Sequence, residues 1–171
     1  FVRNPRGEDF AVSLKTLSLW PDELLVHLME MRLVVEVPAA GLAARRRTEN
    51  ELEQMRRCVL HLKEVHAAPD GGASSGAYWD SLLHALVVGS AHNPVLTRLY
   101  EGLTSTMEKQ IVTSRSLLLR YSDMSGKILE EHELLVDSIA RKDPEGAMGA
   151  LRRHLEEAMG RLAQLKDTST Q

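Results

Sequence analysis

The sequence has few of the residues from which a sheet is built. Aromatic residues make up 4% of its 171 positions. The interior must therefore come from Leu, Val, Ala and Met, which suit helix packing better than sheets. A single cysteine, Cys58, excludes a disulfide within the chain and fits a reducing compartment. On a helix it reads as a small buried apolar residue. There is no basic excess: 21 Lys and Arg stand against 24 Asp and Glu, a formal net charge of −3. Such a chain does not neutralise nucleic-acid phosphates by itself. No run approaches the roughly 18 to 20 apolar residues of a membrane span, and nothing has the pattern of a signal peptide. The expectation is a cytoplasmic protein with no membrane attachment. The chain opens on Phe1 rather than methionine, and the expectation is that an N-terminal part precedes it.

What is present is helical periodicity, punctuated by caps. Residues 1–6 read as a strand end and linker, and residues 7–18 as a short helix. Trp20-Pro21-Asp22-Glu23 opens a helix over 22–46, since proline is tolerated in a first turn and acids suit that end. Its apolar stripe is Leu24, Leu25, Leu28, Met31, Val35, Leu42 and Ala43. Pro38 inside it predicts a kink near 34–38, or a complete break. Thr48 to Glu51 is a capping box. It opens a helix to about His66 with Leu52, Met55, Val59, Leu62 and Val65 inward. Residues 67–76, rich in Pro, Gly and Ser, read as a loop.

Further helices are predicted over 77–91, over 94–119 after the Asn93-Pro94 cap, over 123–142, and over 144–166 after Asp143-Pro144-Glu145. Residues 167–171 read as a polar tail. No strand pattern and no repeat survive. The fold class is all-α: one domain over 7–166, an antiparallel bundle of about seven helices.

Three separated stretches carry chemistry. Asp80 and His84 are spaced i,i+4 and so share a helix face. His132 and His154 each sit in an apolar-periodic helix of their own. Packed together, these helices would gather one carboxylate and three imidazoles, a composition that suits Zn, Ni, Mn or Fe. Structural zinc sites are closed and usually thiolate-rich. With no thiolate cluster, a site open to an exchangeable ligand is the expectation. His27, His61, His66 and His92 receive no role. Glu131 and Glu133 flank His132 and are expected to point away from a site there.

Arg32 lies close to an apolar stripe with Glu36 one turn on. Two readings stay open: a buried pair with Glu36, or a guanidinium aimed into a cavity where its fork binds a carboxylate. Arg45-Arg46-Arg47 reads as a solvated helix end complementing the negative dipole. The residues alone also allow a metalloenzyme, which would need an open metal position plus a base or a redox metal. A plain dimerisation bundle is a third reading.

The motifs resemble the effector-binding FCD domain of GntR-type transcription regulators, in the FadR subfamily. Glu30-Met31-Arg32-Leu33-Val34-Val35-Glu36, then Pro38-Ala39-Ala40 and Leu42-Ala43-Ala44, is similar to that family's Arg–Glu segment with its alanine-rich continuation. Asp80 to His84 leading to Asn93-Pro94, Glu131-His132 followed by Asp137 and Asp143, and Ala147-Met148 to His154-Leu155 are similar to its later segments. The likeness runs from about residue 8 to 165. Leu83 stands where the family usually has Phe, and His92 where it often has Gly.

The resemblance implies a divalent metal on Asp80, His84, His132 and His154, zinc first, with nickel or manganese as alternatives. It implies a small organic acid beside the metal, contacted by Arg32 and Asn93. It further implies a homodimer that reaches DNA only through an N-terminal winged helix, with residues 1–6 its remnant. The acid's identity is left open, as is whether it releases DNA or promotes binding.

Overall fold

The computed structural model describes residues 25–67, 73–102 and 124–169, and every regular element among them is helical. They are α1 (Leu25–Arg46), α2 (Glu49–Ala67), α3 (Ala73–Gly89), α4 (94–102), α5 (Met124–Ala140) and α6 (Pro144–Ser169). The strand end at 1–6, the helix at 7–18 and the span 103–119 lie outside the described residues. So does the start of the first long helix.

The local signals act where they were read. Thr48 Oγ1 accepts from the Glu51 amide at 3.2 Å, and Glu51 Oε2 accepts from the Thr48 amide at 2.7 Å, closing the capping box. Asn93 Oδ1 accepts from the amides of Val95 and Leu96 at 3.1 and 3.2 Å and starts α4. Asp143 Oδ1 takes the Gly146 amide at 2.9 Å and starts α6.

α1 runs through Pro38 to Arg46, as one helix over 22–46 requires, and the alternative of a complete break is not seen. Both Pro38 and Val34 are exposed, so the carbonyl that loses its partner to proline faces water. Two boundaries differ from expectation. The loop read over 67–76 is shorter, because α3 begins at Ala73 and Gly76 is already buried. α6 continues to Ser169, into the residues read as tail.

α1 packs most broadly on α6, and also meets α3 and α5; α5 packs on α6, and α2 on α3 and α5. The α1–α6 approach is close because α1 is lined there with Ala40, Gly41, Ala43 and Ala44, all buried. A Cβ on Gly41 would stand 2.6 Å from Met148 Sδ.

The buried face of α1 is not its most apolar stripe. Leu28, Met31 and Val35 are half-buried, whereas Met29, Arg32, Glu36, Val37, Ala40 and Ala43 are buried. The arginine run was read as a solvated helix end, which holds for the exposed Arg45 and Arg46, whereas the Arg47 side chain is buried. Arg46 Nη1 donates to the Ala91 carbonyl at 2.8 Å, and Arg47 Nη2 to the Ala140 carbonyl at 3.0 Å. Each closes the end of another helix.

Candidate metal centre

α3 carries Asp80 and His84 one turn apart on its buried side, with His84 Nε2 3.3 Å from Asp80 Oδ1. α5 adds His132, whose Nε2 lies 3.7 Å from the same oxygen. α6 adds His154. Ring centroids are 4.5 Å apart for His132 and His154, 5.4 Å for His84 and His154, and 5.5 Å for His84 and His132. One ligand atom from each of the four residues lies within 4.8 Å of the others, and all four residues are buried. The structure thus brings together the four side chains that spacing and resemblance nominated.

A second layer of carboxylates orients the imidazoles. His84 Nδ1 is 2.6 Å from Glu36 Oε2, and His154 Nδ1 is 2.8 Å from Glu131 Oε2. An ionised carboxylate only accepts, so each Nδ1 carries the proton and each Nε2 is left for the centre. His84 Nε2 is buried and forms no well-directed hydrogen bond. A divalent cation fits such an atom.

Glu36 is the hub of this layer. Arg32 donates to it through Nε at 2.7 Å and Nη2 at 3.3 Å, and the Tyr100 hydroxyl donates at 3.3 Å. Burial alone would raise the Glu36 carboxyl, but Arg32 and His84 outweigh it and bring it down to about 2. Burial would lower His84, yet the Glu36 charge, the nearby Asp80 carboxylate and the bond to Glu36 hold it above its ordinary value. Burial and the Glu36 charge push the Tyr100 hydroxyl well up, so it stays a donor.

Arg32, Glu36, Asp80, His84, Glu131, His132 and His154 are all buried in this network. Its three carboxylates, Glu36, Asp80 and Glu131, face one guanidinium, Arg32. The excess of two formal negative charges in this buried network matches a divalent ion.

Glu131 corrects the sequence reading. It was expected to point away, but it is buried and holds His154. Neighbouring residues on a helix are about 100° apart, so Glu131 and His132 can both face inward where α6 packs across α5. Tyr100 was not nominated at all. Its only signal was an aromatic residue in a chain with few. Cys58 is buried, and burial pushes its thiol up to about 11, which suits packing rather than ligation. Asn93 uses its oxygen to cap α4, and no described hydrogen bond or ion pair joins it to the four ligands.

The FCD domain family model matches residues 27–157, a span containing all four site residues and Arg32. The chain belongs to the FCD domain family. Over 142 residues it is 26% identical to the L-lactate dehydrogenase operon regulatory protein of Escherichia coli K12, covering 83% of this chain and 53% of that one. Over 143 residues it is 27% identical to the HTH-type transcriptional regulator LutR of Bacillus subtilis 168, covering 83% and 64%. It is 28% identical over 142 residues to the galactonate operon transcriptional repressor of E. coli K12, covering 83% and 59%. The FCD chain thus spans 53 to 64% of the length of these relatives.

Two solved structures share the fold. Streptococcus agalactiae GntR has a TM-score of 0.64 at 22% identity, covering 81% of this chain and 59% of that one. E. coli McbR/YncC has a TM-score of 0.64 at 17% identity, covering 85% and 67%. The likeness to GntR-type regulators read from the motifs therefore holds. These named sequence relatives are regulators, which points away from the metalloenzyme reading.

Proposed function

We propose that this FCD domain is the sensing half of a cytoplasmic transcription regulator. It holds a divalent metal through Asp80, His84, His132 and His154 and binds a small organic acid beside it. The observation that carries this reading is the buried four-donor cluster with two imidazoles oriented by Glu36 and Glu131. A donor set of three nitrogens and one oxygen favours zinc, nickel or manganese. The metal, when bound, supplies a Lewis-acidic centre that accepts a carboxylate oxygen.

Arg32 belongs to the same buried network, close enough to Asp80 to feel its charge. Its fork is clasped by Glu36, so an incoming acid shares the guanidinium rather than meeting it alone. Asn93 can offer only its amide nitrogen, since its oxygen caps α4. The chemistry of the acid is suggested by two relatives, named for the L-lactate dehydrogenase and galactonate operons. Lactate and galactonate are both 2-hydroxycarboxylates.

The acid acts only if it binds two conformations of the regulator unequally. In a homodimer that difference moves DNA-binding domains, supplied elsewhere in the full protein, relative to operator half-sites of fixed spacing.

The test is a thermal-shift and calorimetric screen of 2-hydroxycarboxylates, unsubstituted monocarboxylates and dicarboxylates, with metal and with chelator. An acid of the effective class should raise the melting temperature only when metal is present. Acids that bind equally well to chelated protein would rule out a metal-anchored effector.

A further inference from the structure

The four ligands are not equally shielded. Side-chain exposure is 0% for His84 and 1% for His132, but 8% for both Asp80 and His154. Solvent therefore approaches the cluster from the side of Asp80 and His154. On the His154 side, two carboxylates follow. Glu131 takes His154 Nδ1 on Oε2, while its Oε1 is buried and accepts no hydrogen bond. A buried carboxylate oxygen without a donor is costly, and a cation arriving beside it offsets that cost.

Glu157 stands one turn along α6 from His154 and lies beside Glu131. Lys127, one turn before Glu131 on α5, is ion-paired with Glu157. Side-chain exposure climbs in that order, from 8% at His154 and 10% at Glu131 to 24% at Glu157 and 42% at Lys127. The hydrogen bond from Lys127 holds the Glu157 carboxyl below its ordinary range, so it is an anion at neutral pH. The series is a staircase from metal ligand to solvent, lined by carboxylates and closed at the top by one ammonium.

We propose that Glu131 and Glu157 form an outer cation subsite on the route by which the divalent metal reaches Asp80, His84, His132 and His154, with the Lys127 ammonium as its resident until the metal displaces it. This rests on the metal-binding reading above. Anionic groups on low-dielectric walls concentrate a cation and speed its capture. The subsite also gives a hydrated ion oxygen ligands to exchange for water before it meets imidazole. Lys127 balances one of the two carboxylates, which keeps the empty route from carrying two unmatched charges.

The experiment is stopped-flow uptake of Co²⁺ by the metal-free full chain, followed through the visible absorption of the bound ion. Wild type, Glu157→Gln and Lys127→Met are compared, with metal content measured at equilibrium. Glu157→Gln should slow uptake by about tenfold or more, slow chelator-driven release similarly, and leave equilibrium affinity within about threefold. Lys127→Met should speed uptake. If wild type binds Co²⁺ and all three proteins take it up at the same rate, the route is wrong and the metal site stands. If Glu157→Gln lowers equilibrium metal content without slowing uptake, Glu157 supports the ligands and is no relay. If wild type takes up no metal, route and site fall together.

Discussion

His132→Ala is expected to abolish divalent-metal binding at the proposed site and, with it, the stability that a bound metal would confer. His132 is almost fully buried, its ring 4.5 Å from that of His154 and its Nε2 3.7 Å from Asp80 Oδ1. No other described imidazole or thiolate joins this cluster, so the vacancy has no substitute. A ligand that binds only the native state stabilises it by about 4 kcal/mol when present at 1,000 times its dissociation constant. For a domain of this size 1 kcal/mol moves the melting temperature by roughly 2–4 °C. Wild type should therefore fall by roughly 10 °C or more when chelated.

The variant should melt at one temperature with or without chelator. It should also lie somewhat below chelated wild type, because truncation leaves a cavity among packed rings. Metal content and melting curves check this together. A wild-type melting temperature indifferent to chelator would argue against the site.

Glu36→Gln is expected to destabilise the chain by about 3–5 kcal/mol, the scale for stranding one partner of a buried ion pair. The neutral side chain takes from Arg32 the carboxylate that clasps it, leaving Asp80 as the nearby negative charge, and takes the carboxylate from His84 Nδ1. Replacing both partners is different, since a pair exchanged for apolar groups leaves no stranded charge. Arg32→Met combined with Glu36→Leu should thus be less damaging than Glu36→Gln alone. Chemical denaturation of metal-free protein would measure the difference. A double variant no more stable than the single one would show that charge pairing is not what Glu36 contributes.

The same group sets an acid limit. Glu36 is depressed from an ordinary 4.5 to about 2. Its contribution is therefore fully present above pH 4.5 and lost as pH falls toward 2. A carboxyl lowered this far contributes about 3 kcal/mol. Glu36→Gln should flatten this part of the pH–stability curve in metal-free protein.

Much of the architecture was legible because its signals are local. A capping box, an Asn-Pro start and an Asp-Pro-Glu start each act within about four residues. The start of α2 at Glu49 and of α6 at Pro144 followed from them. The inward face of α2 was read correctly at Leu52, Met55, Val59 and Leu62, because one apolar stripe faces one core. α1 was read less well because it has two covered faces. Its apolar stripe of Met31, Val35 and Leu42 meets a smaller cluster with Val88 and Tyr100, leaving the main face to Met29, Val37, alanines and the buried pair. The loop before α3 was overextended because Gly and Ser were weighed by propensity, which burial overrides.

The site divides the same way. The four-residue spacing of Asp80 and His84, with His132 and His154 each on an apolar-periodic helix, named the four candidates, and the family pattern joined them into one ligand set. What no local pattern decides is which side chain completes the hydrogen bonding of each imidazole. Glu36 reaches His84 across 48 positions, Tyr100 reaches Glu36 across 64, and Glu131 reaches His154 across 23. Those pairings exist because α1, α3, α5 and α6 pack around one point, and a buried polar group must find its partner wherever packing places one. The sequence by itself determined a helical bundle with metal-competent residues. Only the tertiary structure decided that Arg32 is held by Glu36, that Glu131 faces inward, and that one ligand lies against a carboxylate leading toward solvent.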